Sequence, residues 1–176
     1  MSMRPAKKVT VSAMAIALGT IFLTVGAMWE VLDLSLAAIS SLLVAFIFIE
    51  IGSPYTFIVW LATSLLSLIF FPGSVVWIEY FLIFGIYPIV KAYIERAPRI
   101  LWWILKIAFA NVVVLAMIFL IELITGLPFF ASELWYLNVG LYILINAAFV
   151  AYDIFLTILI RAYMSTYRQK FRKFLK

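Results

Sequence analysis

Residues 100–124 read ILWWILKIAFANVVVLAMIFLIELI. In these 25 residues only Lys106 and Glu122 are ionisable. Coiled as a helix, the run is long enough to cross a hydrocarbon core of about 30 Å. The strands of a membrane barrel would be about half this length and would alternate apolar with polar residues, which this run does not. Working outward, charges and turn residues cut the rest of the chain into five more segments of the same kind. The six predicted spans cover approximately residues 10–28, 34–51, 55–71, 75–94, 100–124 and 137–160. They are closed by Trp29-Glu30, Gly52-Ser53-Pro54, Pro72-Gly73-Ser74 and Gly126-Leu127-Pro128. The expected fold is an all-α integral membrane protein. One six-helix bundle takes up residues 1–176, with residues 161–176 as a basic cytoplasmic tail.

Composition agrees. Of 176 residues, 68% are apolar and 12% charged, and the mean hydropathy is +1.20. A soluble domain averages about 45–50% apolar and about 25% charged, so this chain could not cover itself with polar side chains in water. Soluble enzymes, disordered chains and disulfide scaffolds are excluded. With no Cys and no His, thiol chemistry, zinc sites, His-ligated haem and Ser-His triads are excluded too. No catalytic residue, metal site or cofactor is expected. The net charge of +5 does not point to nucleic acid, because the basic residues flank hydrophobic segments.

Those basic residues orient the bundle. Arg4, Lys7 and Lys8 precede the first span, and Lys91, Arg96, Arg99 and Lys106 surround the fourth connection. Arg161, Arg168, Lys170, Arg172, Lys173 and Lys176 follow the sixth span, which completes all thirteen. The opposite loops carry Glu30, Asp33 and Glu133. By the positive-inside rule both termini lie in the cytoplasm, and the chain is expected in the cell (plasma) membrane. Val25-Gly26-Ala27 resembles a signal-cleavage site, but the apolar stretch is too long and five spans follow, so an uncleaved anchor is expected. The tail from Tyr163 mixes Phe171, Phe174 and Leu175 with basic residues. It reads as a short interfacial helix or a stop-transfer flank.

Ionisable groups within spans cost several kcal/mol unless paired or hydrated. Tyr142, Asn146, Phe149 and Asp153 share one helical face. They either line a polar cavity, or Asp153 pairs with Lys106 or Lys91 while Asn146 bonds a neighbouring helix. Pairing is the preferred reading. Lys106 either meets Asp153 or snorkels to the interface, and Lys91 is expected to snorkel. Asn111 and Glu122 share a face of the fifth span, with Glu122 at its outer end. Glu79, between Trp77 and Tyr80, either lines an outward-facing pocket roofed by Trp135, Tyr136 and Glu133 or belongs to an interfacial aromatic belt. On the first span Ala13, Ala17, Thr20 and Thr24 form a small-residue stripe, and Ala15 and Gly19 a second small pair. Either suits close helix packing or docking to a partner.

The basic start followed by KKVTVSAMAIALGTIF, the Ser/Ala-rich LSLAAISSLLVAFIFIEIGSP and TSLLSLIFFPG resemble the substrate-binding S components of energy-coupling-factor (ECF) micronutrient transporters. That resemblance implies six spans with both ends inside. It implies a small-molecule solute bound from the outer side, and a transmembrane coupling subunit and ATPases acting in trans. It assigns partner docking to Ala13 and Ala17 and places the solute pocket near Glu79, Glu122, Trp135, Tyr136 and Asn138. The chain itself has no GxxxxGK[ST] loop, so ATP hydrolysis would belong to a partner. The same layout also resembles the small six-span protein of the bacterial cell-shape machinery, a non-catalytic scaffold. The cytoplasmic stretch FGIYPIVKAYIERAPR would then be a docking surface. An intramembrane enzyme is the least supported reading, because no helix carries paired carboxylates at catalytic spacing.

Overall fold

The structure is a computed structural model, which describes residues 4–126, 128 and 135–169. Among the described residues all regular structure is helical. Six helices are long and apolar enough to cross a membrane: α1 (Pro5–Met28), α2 (Asp33–Glu50), α3 (Ser53–Phe70), α4 (Val76–Ile94), α5 (Arg99–Thr125) and α6 (Trp135–Tyr167). Compared with the expected spans, α1 begins earlier, with Pro5 in its first turn where a missing N–H costs nothing, and α6 runs on through Tyr167. Glu133 and the tail from residue 170, including Phe171, Phe174 and Leu175, lie outside the described residues.

The chain divides into two compact units. The first is Met1–Val90 with Leu156–Lys176, and the second is Lys91–Phe155. In the first, α1, α2 and α3 pack together along small and hydroxyl side chains. The buried stripe of α1 is Ser12, Ala15, Gly19, Thr20, Leu23 and Gly26. That of α2 includes Ala37, Ser40, Ser41, Val44 and Ala45, and that of α3 includes Thr56, Val59, Thr63, Ser64 and Ser67. Gly19 is where the three helices close. A Cβ there would lie 2.9 Å from Ser40 Oγ and 3.0 Å from Thr63 Cγ2. The two small pairs of α1 therefore separate. Ala15 and Gly19 are buried in the packing, whereas Ala13 and Ala17 are exposed, Thr20 is buried and Thr24 half-buried.

The surface departs from that of a water-soluble domain. Buried serines and threonines share the interior with apolar side chains such as Leu23, Val44 and Ile47, while Ile100, Leu123 and Ile69 are 83%, 69% and 70% exposed. Continuous apolar surface on this scale is a liability in water and is normal only against another apolar phase or partner.

The fourth span differs from the continuous helix expected. A short helical turn, Val76–Glu79, passes into a wider π-turn at Tyr80–Phe84, and a regular helix resumes at Tyr87–Ile94. The Gly85 N–H bonds back to the Tyr80 carbonyl at 2.7 Å, five residues away. The widened turn turns the Phe81 carbonyl outward to accept the Trp60 indole N–H at 3.0 Å. The Trp60 and Phe81 rings stack at 5.0 Å and 14°. Such π-turns concentrate at functional sites, and this one immediately follows Glu79. Phe84, Tyr87, Ile89 and Lys91 are buried, so the first half of FGIYPIVKAYIERAPR is interior and only its end offers exposed groups, among them Tyr93, Arg96 and Arg99.

Candidate functional site

In the second unit, the end of α4, α5 and α6 converge on four charges. Lys91 and Lys106 both reach Asp153 and Glu95. Lys91 Nζ lies 2.9 Å from Glu95 Oε1 and bonds Asp153 Oδ1. Lys106 Nζ lies 2.9 Å from Glu95 Oε1 and 2.9 Å from Asp153 Oδ2. Each carboxylate is shared by both ammonium groups, so the ring is closed and neutral. Closure is what makes its burial tolerable, because no charge is left uncompensated. The expected pairing of Asp153 with Lys106 or Lys91 is present with both lysines at once. Lys91 does not snorkel, since it is 3% exposed and held by Asp153 and Glu95. Glu95 was not among the candidate residues. Its signal was the Lys91–Glu95 spacing of four, which puts opposite charges on one helical face.

Farther along α5 and α6, the Tyr142 hydroxyl donates to Asn111 Oδ1, and the Asn111 amide donates to the Ile107 carbonyl at 2.8 Å. Asn146 does not bond a neighbouring helix. Its amide donates to the Tyr142 carbonyl on its own helix at 3.1 Å, one turn back, where a side chain can reach a backbone oxygen without crossing a helix gap. This polar network positions helices and leaves no ionised group free to take a ligand. Burial pushes the Glu95 carboxyl up, but the hydrogen bonds and charges of Lys91 and Lys106 outweigh burial and hold it below its usual value. Its stabilising contribution is therefore full above an unfolded pKa of about 4.3 and disappears as pH falls through the lower folded value. The melting temperature in mild detergent is expected to fall as pH drops from about 5 to about 3. Glu95→Gln should flatten that slope, and an unchanged slope in the variant would remove Glu95 from the ring's energetics.

In the first unit several buried polar atoms lack a hydrogen-bond partner among the described residues, namely Glu79 Oε2, the Trp77 indole nitrogen and the hydroxyls of Ser12 and Thr20. The Tyr80 phenol lies beside Ser40 and Thr63. Asp33, at the start of α2, is near enough to Glu79 for the two carboxyls to repel. A buried carboxylate oxygen with no donor, under the field of a second carboxylate, is costly unless the group takes up a proton or an ammonium or other cationic donor answers it. Among the described residues no group of three His, Cys, Asp or Glu side chains could hold a metal ion.

The other expected pocket residues belong to the second unit. Glu122 and Asn138 are half-buried. Trp135 and Tyr136 are 74% and 53% exposed, their rings edge-to-face with centroids 6.3 Å apart. Glu79 is thus in one unit and Glu122, Trp135, Tyr136 and Asn138 in the other. Comparison with protein-family models, curated proteins and solved structures finds no match to this chain.

Proposed function

We propose that the chain is a multi-pass protein of the bacterial cell membrane, with both termini cytoplasmic, and that it binds a small cationic or amine-bearing solute from the outer side. In this reading it is the solute-binding subunit of an ATP-driven micronutrient uptake system of the S-component type. The six long apolar helices, their exposed apolar surface and the clustering of Lys and Arg in the sequence support the membrane assignment. The observation that carries solute binding is the unpartnered, buried Glu79 carboxylate oxygen near the outer end of α4. Glu79 is the charged anchor. Ala13 and Ala17, exposed on α1, form the face for a transmembrane coupling subunit whose ATPases act in trans.

A screen of protonated amines and quaternary ammonium compounds against matched neutral and anionic solutes, read by thermal shift of the detergent-solubilised protein, tests the anchor. A cationic solute is expected to stabilise it, and Glu79→Gln to weaken that solute roughly tenfold to a hundredfold, the value of a charge-assisted hydrogen bond. Equal response of the variant, or a response to anions alone, would overturn Glu79 as anchor. The exposed Ala13–Ala17 face also favours the second reading, a non-catalytic assembly scaffold. There Ala17→Trp would abolish complex formation while Glu79→Gln would be silent.

A further inference from the structure

The inner ends of α2 and α6 enclose a second cleft, wholly within the first unit. Its volume is about 280 Å³, and Leu42, Phe46, Ile49, Leu159, Ala162 and Tyr163 line it. The Phe46 and Tyr163 rings meet edge-to-face at 5.6 Å. At its end, Glu50 follows the lining residue Ile49. The Glu50 carboxylate accepts from Arg168 Nε at 3.0 Å and from the Tyr163 hydroxyl at 3.3 Å. The only carboxylate in this set of contacts is thereby neutralised. Arg168 uses only its Nε in that pair, so among the described residues its two terminal amino groups remain as donors in a planar fork. Arg161, between two lining residues, is exposed and has no acidic partner among the described residues. Lys170, Arg172, Lys173 and Lys176 follow in sequence.

An apolar trough ending in a half-used guanidinium, with the exposed Arg161 beside it, matches one kind of occupant, a molecule with a long hydrocarbon chain and an anionic head. We propose that this cleft binds one acyl chain of an anionic phospholipid, with the free edge of Arg168 holding its phosphate. The proposal rests on the membrane reading above. It assigns Glu50 the role of positioning Arg168, because the Nε–carboxylate bond fixes the plane of the fork. It also gives Tyr163 and Tyr167 an interfacial place, with an apolar ring in the cleft and a polar tip toward the headgroups.

The test uses the full chain in a nonionic detergent, titrated with phosphatidylglycerol or with phosphatidylcholine of the same acyl chains, and bound lipid counted by native mass spectrometry. Phosphatidylglycerol is expected to bind about tenfold tighter, the worth of one charge-assisted phosphate contact. Replacing both Glu50→Gln and Arg168→Gln, which leaves no orphaned carboxylate, should bring the two lipids to equal affinity. Ala162→Phe, at an exposed lining position, should weaken both lipids. Equal affinity of the wild-type protein for the two lipids would overturn the proposal. So would a preference that survives the double replacement, which would assign it to the tail, or an Ala162→Phe protein that binds both lipids as the wild type does. Alkaline-carbonate extraction of native membranes separates this from the membrane reading. A chain retained in the pellet that shows no lipid preference contradicts the cleft alone, and a chain released into the supernatant contradicts both.

Discussion

Lys106→Met is expected to destabilise the protein by about 3–5 kcal/mol, the cost of removing one member of a buried ion pair and stranding the other. The argument comes from the ring's charge count. Lys91, Lys106, Glu95 and Asp153 sum to zero, and each carboxylate bonds both ammonium groups. Without Lys106, one positive charge faces two negative ones, and Asp153, with its side chain 5% exposed, cannot recover water. Methionine keeps the volume of the stem, so the loss reports charge and not a cavity. Adding Asp153→Asn to Lys106→Met restores neutrality, and the double variant should recover more than half of the loss. Arg96→Ala makes the contrast. That arginine is exposed, its contact is a Tyr93 ring 4.8 Å away, and the change should stay within about 0.5 kcal/mol. Denaturant titration in bicelles measures all three. A Lys106→Met cost below about 1 kcal/mol would mean the ring does not hold these helices.

Gly85→Val is expected to cost about 3 kcal/mol, at the upper end of overpacking. A Cβ at this position would stand 2.5 Å from Trp60 Cδ1 and 2.9 Å from both Tyr80 Cε1 and the Tyr80 carbonyl oxygen. Trp60 cannot step aside freely. Its N–H is bonded to the Phe81 carbonyl and its ring is stacked on Phe81, so moving it would orphan a carbonyl exposed by the π-turn. Tyr80 is equally fixed, being fully buried beside Ser40 and Thr63. Gly85→Ala already carries the clashing atom and should cost about 1–2 kcal/mol. Gly140→Ala, on an exposed helical face with nothing within 4 Å, should instead gain about 0.5–1 kcal/mol. The same denaturant titration reads the series, and a Gly85→Val protein as stable as the wild type would mean the close approach of α3 to the π-turn is wrong. Because that turn follows directly on Glu79, the Gly85 variants should also weaken any solute held by Glu79.

The spans were legible because their signal is length and apolarity, which need no knowledge of neighbours. The break in α4 was less so. Gly85 and Pro88 stand in the sequence as breakers, but only the Trp60 indole on another helix explains why the π-turn sits at Tyr80–Phe84. The ion pairs were half legible. A carboxylate and two lysines at similar depth invite pairing, and Asp153 found both, but Glu95 lay past the end of its span and was passed over. Lys91 was misjudged for a related reason. Snorkelling assumes that water is the nearest polar neighbour, and here two carboxylates are closer. Glu50 and Arg168, far apart in sequence and each at a helix end, carried no periodic signal at all. Of the proposed solute site, the flanking aromatics single out Glu79 in the sequence. That its oxygen would be buried without a partner, with Asp33 bearing on it, depends on packing that no spacing encodes.

The proposed role as a solute-binding subunit is tested most directly by its partners. The tagged protein would be drawn from native membranes in a gentle detergent and the co-purifying proteins identified by mass spectrometry. The account predicts two ABC-type ATPases and a large transmembrane coupling subunit, all lost with Ala17→Trp and retained with Glu79→Gln. Recovery of cell-wall or division proteins without any ATPase would contradict it and give the Ala13–Ala17 face to a scaffold.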